Sequence, residues 1–180
     1  MCSQDIQKKD DYDISIIRPN LSNEDIRMRA NGMAPSRLKK IKKGLHTLHT
    51  LELMATTIYR FQITKNTSEY NRQLIAAMLN EMTHYQDFQA KLYEYGFRPN
   101  LFRCAYWFVG FIFGFCSRLM GERAILKTGI WVEAKAVAHY NELLNSIEWD
   151  DDTRKIIEKN QSDEYGHISR WESLLKSDKA

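Results

Sequence analysis

Two Glu-x-x-His motifs, Glu81-Met-Thr-His84 and Glu164-Tyr-Gly-His167, constrain this chain more than any other feature. A spacing of three places both side chains on one face of a helix. Each motif follows a lone glutamate set in an apolar stripe. Glu52 comes after Leu45 and Leu48 and before Ala55 and Tyr59. Glu133 sits among Leu126, Ile130, Val137 and Tyr140. Glu81 shares its stripe with Leu74, Met78, Tyr85 and Phe88, and Glu164 has Ile157, Ile168 and Trp171 nearby. A carboxylate in such a stripe is costly unless it is paired or binds a metal. Four of them, ordered Glu, Glu-x-x-His, Glu, Glu-x-x-His, call for one explanation. Glu81 lies 29 residues after Glu52, and Glu164 lies 31 after Glu133. The chain thus reads as two copies of one helical hairpin. Folded together, they aim four glutamates and two histidines at one centre. That is the ligand set of a two-metal carboxylate site in a four-helix bundle.

The residue types fit that chemistry. Carboxylate oxygens suit iron or manganese and can bridge two ions, and imidazole suits Fe(II). About six protein ligands leave positions vacant for dioxygen. A zinc pair is less natural with so many carboxylates. One Glu-x-x-His is common by chance on helices. Two copies, each with its upstream glutamate, are not. The expected ligands are Glu52, Glu81, His84, Glu133, Glu164 and His167. Four further side chains are candidates for hydrogen bonding to them. His49, one turn before Glu52, is either such a neighbour or a partly buried helix histidine. His139, six residues after Glu133, is angled away from the ligands and is expected to reach one from the adjacent face. Tyr59 and Tyr140 lie on ligand stripes, as proton donors or as core. His46 is read as a surface residue.

The rest of the chain is consistent with helices alone. Three prolines and eight glycines in 180 residues disfavour a turn-rich all-β fold and exclude disorder or collagen. The length fits one domain with a tail. Three cysteines form no disulfide framework and point to a reducing compartment. A net charge of +3 does not by itself suggest a nucleic-acid binder, and none is expected. Residues 1–35 are polar, mixed in charge and without a helical period, matching neither a signal nor a transit peptide. They read as a flexible or loosely docked arm, and 36–180 as the metal-binding domain. Pro35-Ser36 marks a helix start, with Ser36 available to cap. That helix runs to about Thr64 and carries Arg37, Lys39, Lys40, Lys42 and Lys43 in its first turns, against the helix dipole. A second runs from the Asn66–Glu69 signal to Tyr95, where Gly96 stops it. A third spans about Glu122 to Ile147; Trp149–Thr153 marks the next boundary with an Asp cap, and a fourth helix runs from about Asp152 to Lys176.

Between the second and third lies an uncharged stretch of 14 residues, 104–117, flanked by Arg103 and Arg118. It is too short to span a bilayer as a helix, which takes roughly 20 residues. Its aromatic load exceeds what a small soluble core demands. Tyr106, Trp107, Phe108, Phe111, Phe113 and Phe115 are expected to contact a membrane and give substrate access, within an insert at about 101–120. An internal core helix is the alternative. Cys104 and Cys116 are read as small hydrophobes.

With these residues in view, the chain resembles the demethoxyubiquinone hydroxylases of ubiquinone biosynthesis, from about Leu45 to Trp171. Beyond the ligands, the likeness includes Ile58-Tyr59, the Arg98-Pro99 turn and Trp107…Gly110-Phe111…Gly114…Leu119-Met120-Gly121. It continues through Ala124…Thr128…Val132-Glu133 and His139-Tyr140-Asn141. The ligand set alone fits many ferritin-like proteins; the glycine-spaced apolar segment selects this family. The resemblance implies an all-α, ferritin-like four-helix bundle of two hairpins, with a short apolar helix between helices 2 and 3. It implies two iron ions, with the Glu-x-x-His glutamates bridging them. It also implies dioxygen as co-substrate, NADH or a redox partner as reductant, and a polyprenyl quinone as substrate. The protein would be peripheral or monotopic, on the cytoplasmic face of a bacterial inner membrane or on the mitochondrial inner membrane. Other ubiquinone-biosynthesis proteins and a second copy of the chain are the implied partners. The alternatives are a rubrerythrin-like or storage protein handling peroxide or iron, and a related hydroxylase of another lipid. A membrane-associated helical adaptor with a structural metal is a third.

Overall fold

The computed structural model describes residues 27–177, and most of the N-terminal arm, 1–26, lies outside the described residues. Among the described residues five helices follow one another: α1 (Pro35–Gln62), α2 (Glu69–Glu94), α3 (Arg103–Leu119), α4 (Glu122–Ser146) and α5 (Asp151–Ser177). No strand occurs among the described residues. The chain is all-α, as a ferritin-like bundle requires. α1 pairs with α2 and α4 with α5, giving the two hairpins, and α3 lies along α1 and touches α4.

Local chemistry sets the helix ends. Ser36 does not cap α1. Pro35 occupies the first helical position, and the extended Ala34 before it is the N-cap, without a side-chain bond. The fixed φ of proline sets the helix entry there, so Ser36 falls inside the first turn. α2 ends where Gly96 takes φ +74°, and the Phe97 N–H donates to the Leu92 carbonyl at 2.7 Å. That left-handed closure favours glycine. α5 starts on Asp150, whose carboxylate accepts from the Thr153 backbone N–H at 3.1 Å and from its hydroxyl at 2.7 Å. The described end of the arm, residues 27–34, is held against the bundle. Arg29 reaches Glu94 at 2.5 Å, Asp150 at 2.6 Å and Asp152 at 3.2 Å, tying the end of α2 to the start of α5.

Two apolar layers flank the middle of the bundle. One holds Leu45, Leu48, Phe88, Leu92, Tyr140 and Ile157; the other holds Tyr59, Leu74, Ala77, Leu126 and Trp171. Each helix of the two hairpins contributes to both, so the residues between them (Glu52, Glu81, Glu133 and Glu164) fall in a shared central layer.

α3 is built differently. Its buried residues are Gly110, Gly114 and Ser117, three small residues on one stripe. A Cβ on Gly110 would stand 2.7 Å from the Met54 carbonyl oxygen, and one on Gly114 2.5 Å from that of Ile58. Ser117 accepts from Gln62 Nε2 at 2.8 Å. Small residues at this spacing let two helix backbones touch, as in membrane helix pairs. The large side chains turn outward. Tyr106, Trp107, Phe108, Phe113 and Phe115 are exposed and Phe111 is half-buried, stacked between Trp107 and Phe115. Cys104 and Cys116 are free and exposed on the same helix. The reading of this segment as an internal core helix is thereby overturned. Within the described residues, no helix is long and apolar enough to cross a membrane.

Candidate metal centre

All six expected ligands are buried in the central layer. Glu52 comes from α1, Glu81 and His84 from α2, Glu133 from α4, and Glu164 and His167 from α5. They form two groups: Glu52, Glu81, His84 and Glu164, and Glu81, Glu133, Glu164 and His167. In each, one donor atom per residue lies within 4.8 Å of the others. Glu81 and Glu164 belong to both. Two neighbouring cation positions that share two carboxylates are what bridging requires.

Each histidine turns Nδ1 inward. His84 Nδ1 lies 3.1 Å from Glu164 Oε1, 3.8 Å from Glu81 and 3.9 Å from Glu52. His167 Nδ1 lies 3.1 Å from Glu81 Oε1, 3.2 Å from Glu164 Oε2 and 3.4 Å from Glu133 Oε1. Despite these approaches, many inward atoms lack an aligned hydrogen bond. Both oxygens of Glu81 and of Glu164, one of Glu133 and Nδ1 of both histidines are buried and unpartnered. Buried polar atoms are normally satisfied. A set of hard oxygen donors and two imidazoles, converging with free lone pairs, fits a pair of divalent iron ions.

The electrostatics show the same shortage of positive charge. Burial raises Glu52 and Glu133 well above the ordinary carboxylate range, reinforced by neighbouring carboxylates. Burial would also raise Glu81, but the facing imidazoles of His167 and His84 outweigh it and hold Glu81 well below that range. Burial would depress His167, yet the close carboxylates of Glu133, Glu164 and Glu81 push it up to about 12. His84 is likewise raised, against burial, by Asp163, Glu164 and Glu81. In the chain alone, the two imidazoles serve as the counter-charge for four acids. A bound cation would take over that role.

The ligands are themselves held. The Tyr140 hydroxyl donates to Glu52 Oε1 at 2.5 Å, and the Tyr59 hydroxyl donates to Glu133. Trp171 Nε1 donates to the Tyr59 hydroxyl at 3.2 Å. His84 Nε2 meets Asp163 Oδ2 at 3.1 Å, the carboxylate–histidine arrangement that orients a metal-binding ring. Asp163 is not among the sequence candidates, because it lies on a charged flank of α5 that gives it no signal of its own. Two of the candidates do not reach the ligands. His49 is fully buried but stacks on Tyr85 at 4.2 Å, with Nε2 3.4 Å from Gln89. His139 is half exposed and lies 3.9 Å from Glu142, so it hydrogen-bonds no ligand. Its position on α4, six residues after Glu133, rotates it out of the core. His46 is partly exposed at the surface, with Nε2 2.8 Å from the Arg98 carbonyl oxygen.

Two openings flank the centre. A pocket of about 220 Å³ between α1 and α4 is lined by Glu52 together with Met54, Ala55, Trp131, Val132 and Ala136. His139 and Lys135 also line it. No α3 side chain is among its lining residues. The connection is indirect: Trp131, at its rim, stacks on Phe113 of α3 with ring centres 5.5 Å apart. A second, polar pocket of about 340 Å³ lies between α2 and α5 and is lined by Asn80, Asp163, Gly166, His167 and Arg170 among others.

Comparison with known proteins gives the chain's family. Residues 39–172 match the family described as "Ubiquinone biosynthesis protein COQ7". A relative from Dictyostelium discoideum, named "NADPH-dependent 3-demethoxyubiquinone 3-hydroxylase, mitochondrial", is 28% identical over 133 residues. The match covers 71% of this chain and 61% of the relative, so the chain spans less than two thirds of that protein's length.

Proposed function

Because the chain belongs to the family of the ubiquinone biosynthesis protein COQ7, we propose that it hydroxylates the ring of a demethoxyubiquinone-type lipid quinone with dioxygen. One observation carries this reading: the two donor groups of the central layer share Glu81 and Glu164. Glu52, Glu81, His84, Glu133, Glu164 and His167 would hold two irons. The pair supplies the stepwise electron transfer that dioxygen needs to react with a closed-shell ring. One oxygen atom enters the ring, and the other leaves as water with two electrons and two protons from a reductant. The relative's name makes NADPH the first reductant to test.

The chain's own residues divide the remaining work. Tyr140 and Tyr59 fix Glu52 and Glu133 by hydrogen bonds, and Asp163 orients His84. The apolar walls of the α1–α4 pocket, Met54, Ala55, Val132 and Ala136, suit a quinone ring and exclude water beside Glu52. The polar pocket beside His167 suits protons and water. A polyprenyl tail is nearly insoluble in water, so the substrate arrives from a membrane. The outward aromatic face of α3 supports monotopic contact with one leaflet. The mitochondrial relative favours a mitochondrial membrane over the bacterial one. The exposed aromatics disfavour a soluble storage cage.

The test is iron-loaded protein given NADPH and a short-tailed demethoxyquinone, with products read by mass spectrometry. One added oxygen is expected, together with its loss in Glu81→Ala. Full turnover by Glu81→Ala, or none by the iron-loaded natural chain with either NADPH or a chemical reductant, overturns the proposal.

A further inference from the structure

The first turns of α1 hold a second site, remote in character from the acidic centre. Lys39, Lys43, His46, Thr47 and Thr50 recur at helical spacing along one face, and Lys40 and Lys42 flank them. With Asn100 and Tyr106 they line a groove of about 600 Å³ between α1 and the start of α3. No acidic side chain lines it. The four lysines are exposed and form no ion pair with another described residue. Lys42 lies 5.7 Å from the centre of the Phe97 ring. α1 carries no acid in its first turn and no side-chain cap. The positive end of the helix dipole therefore adds to the lysine charge instead of being offset by it. Cations placed there oppose helix stability, so a ligand that rewards them is the physical reason to look for.

The neighbouring surface says which ligand. Tyr106 belongs both to the groove and to the exposed face of α3. Leu101 and Phe102, beside Asn100, are among the most exposed apolar residues, at 90% and 76%. The groove is thus continuous with an outward apolar face about 25 Å long, the length of a 17-residue helix. An apolar face that meets a basic groove along one edge matches a leaflet surface, with acyl chains under α3 and headgroup phosphates beside α1. A soluble phosphate compound would need the groove but not the adjoining aromatics.

We infer that the groove lined by Lys39, Lys40, Lys42 and Lys43 with Asn100 and Tyr106 binds the phosphate of an anionic membrane lipid. That contact fixes how α3 lies on the leaflet, and so how the α1–α4 pocket meets it. The inference rests on the proposal that α3 contacts a membrane.

The experiment is flotation of the full chain with vesicles of phosphatidylcholine alone or with a third phosphatidylglycerol. Three proteins are compared: the natural chain, a Lys39→Ala/Lys40→Ala/Lys42→Ala/Lys43→Ala variant, and a charge control carrying Lys65→Ala, Lys127→Ala, Lys155→Ala and Lys176→Ala. The natural chain and the control are expected to bind the anionic vesicles roughly ten-fold or more above the neutral ones, and the groove variant to lose most of that gain. Equal binding of the natural chain to both vesicles overturns the inference, as does an equal loss in the control. NADPH titration is the second arm. If NADPH binds the natural chain but not the groove variant, while flotation is unchanged by the variant, the groove serves a soluble dinucleotide and the inference fails. A Trp107→Ser/Phe108→Ser variant separates the underlying reading. If neither vesicle is bound and that variant floats like the natural chain, membrane contact itself fails. Binding to neutral vesicles that depends on Trp107 and Phe108, with no anionic gain, leaves membrane contact standing and removes only the groove.

Discussion

At the centre of the bundle, Glu52, Glu81, Glu133 and Glu164 are shielded from solvent; on the outside of α3, Trp107, Phe108, Phe113 and Phe115 face it. Charged groups are normally outside and large apolar ones inside. The two regions depart from that rule in opposite directions, and the departures differ in how the chain supports them. The acidic centre is held on every side. Two tyrosines, Asp163 and a pair of apolar layers fix its geometry. The face of α3 is supported mainly from behind, through Gly110, Gly114 and Ser117 on α1, with Trp131 of α4 stacked on Phe113 at one side. The first region is a preformed site for small ions, and the second a broad surface for something large and soft. The basic groove at the start of α1 joins the second region, not the first.

The largest effect is expected from breaking the centre. Glu164→Ala removes a carboxylate common to both donor groups. It should reduce bound iron to background and abolish turnover, while the helical circular dichroism signal stays. Metal analysis and turnover on the same sample check this. Retention of two irons per chain would show that the shared position is not needed. Asp163→Asn should act more mildly. It keeps the side chain's size but weakens the partner of His84 Nε2, and such changes typically cost about 10–100-fold in metal affinity or activity. A competitive chelator titration reads this directly. An unchanged affinity would mean that Asp163 only neutralises nearby Lys159, 3.8 Å away.

The other side of the comparison is tested at the α1–α3 seam. Gly114→Val would drive a side chain into the Ile58 carbonyl oxygen, which a Cβ at this position would already approach to 2.5 Å. Backbone cannot yield as a flexible side chain does. The expected penalty is about 1–3 kcal/mol, roughly 2–12 °C in Tm for a chain this size. Iron content should be near normal, because no ligand sits on α3. A variant that melts normally would show that α3 floats on α1 instead of being locked to it. One that loses its iron would show that the two regions are mechanically coupled, through Trp131 on Phe113.

How far the sequence reaches follows from the same contrast. The six central residues are legible because acids spaced at helical period within apolar stripes have no inexpensive explanation but a shared site. The outward face of α3 is legible because an uncharged segment too short to span a bilayer carries more aromatics than a small core can hold. Asp163 does not stand out. It sits among Lys155, Glu158, Lys159 and Glu172 on the charged flank of α5, where one more acid looks solvated, and only the pairing of α2 with α5 gives it His84. The angle of His139 on α4 is readable, but not what stands opposite it, which is the rim of a pocket and no ligand. Nor does periodicity reveal Arg29, whose partners lie on two helices far apart in sequence. Contacts that depend on which helices meet are invisible until the bundle is closed.

The smallest effect concerns a buried ionisable group that calls for no cation. His49 lies one turn from Glu52 yet answers burial in the opposite way. Burial, only partly offset by the Gln89 contact, lowers its pKa to about 4 from the ordinary 6.5. It stays neutral and stacks on Tyr85. Between pH 6.5 and about 4 the unfolded chain therefore binds a proton that the folded chain refuses. The stability tied to His49 is complete above pH 6.5 and is lost as the pH falls through that window. His49→Phe keeps a ring against Tyr85 and removes the proton site. In metal-free protein, melting curves from about pH 7.5 to about 4.5 should fall less steeply for the variant, by on the order of a few degrees at the acid end. Parallel curves would place the acid sensitivity elsewhere, first among the central glutamates and their histidines. A steeper natural curve would show that the folded bundle keeps this buried imidazole neutral.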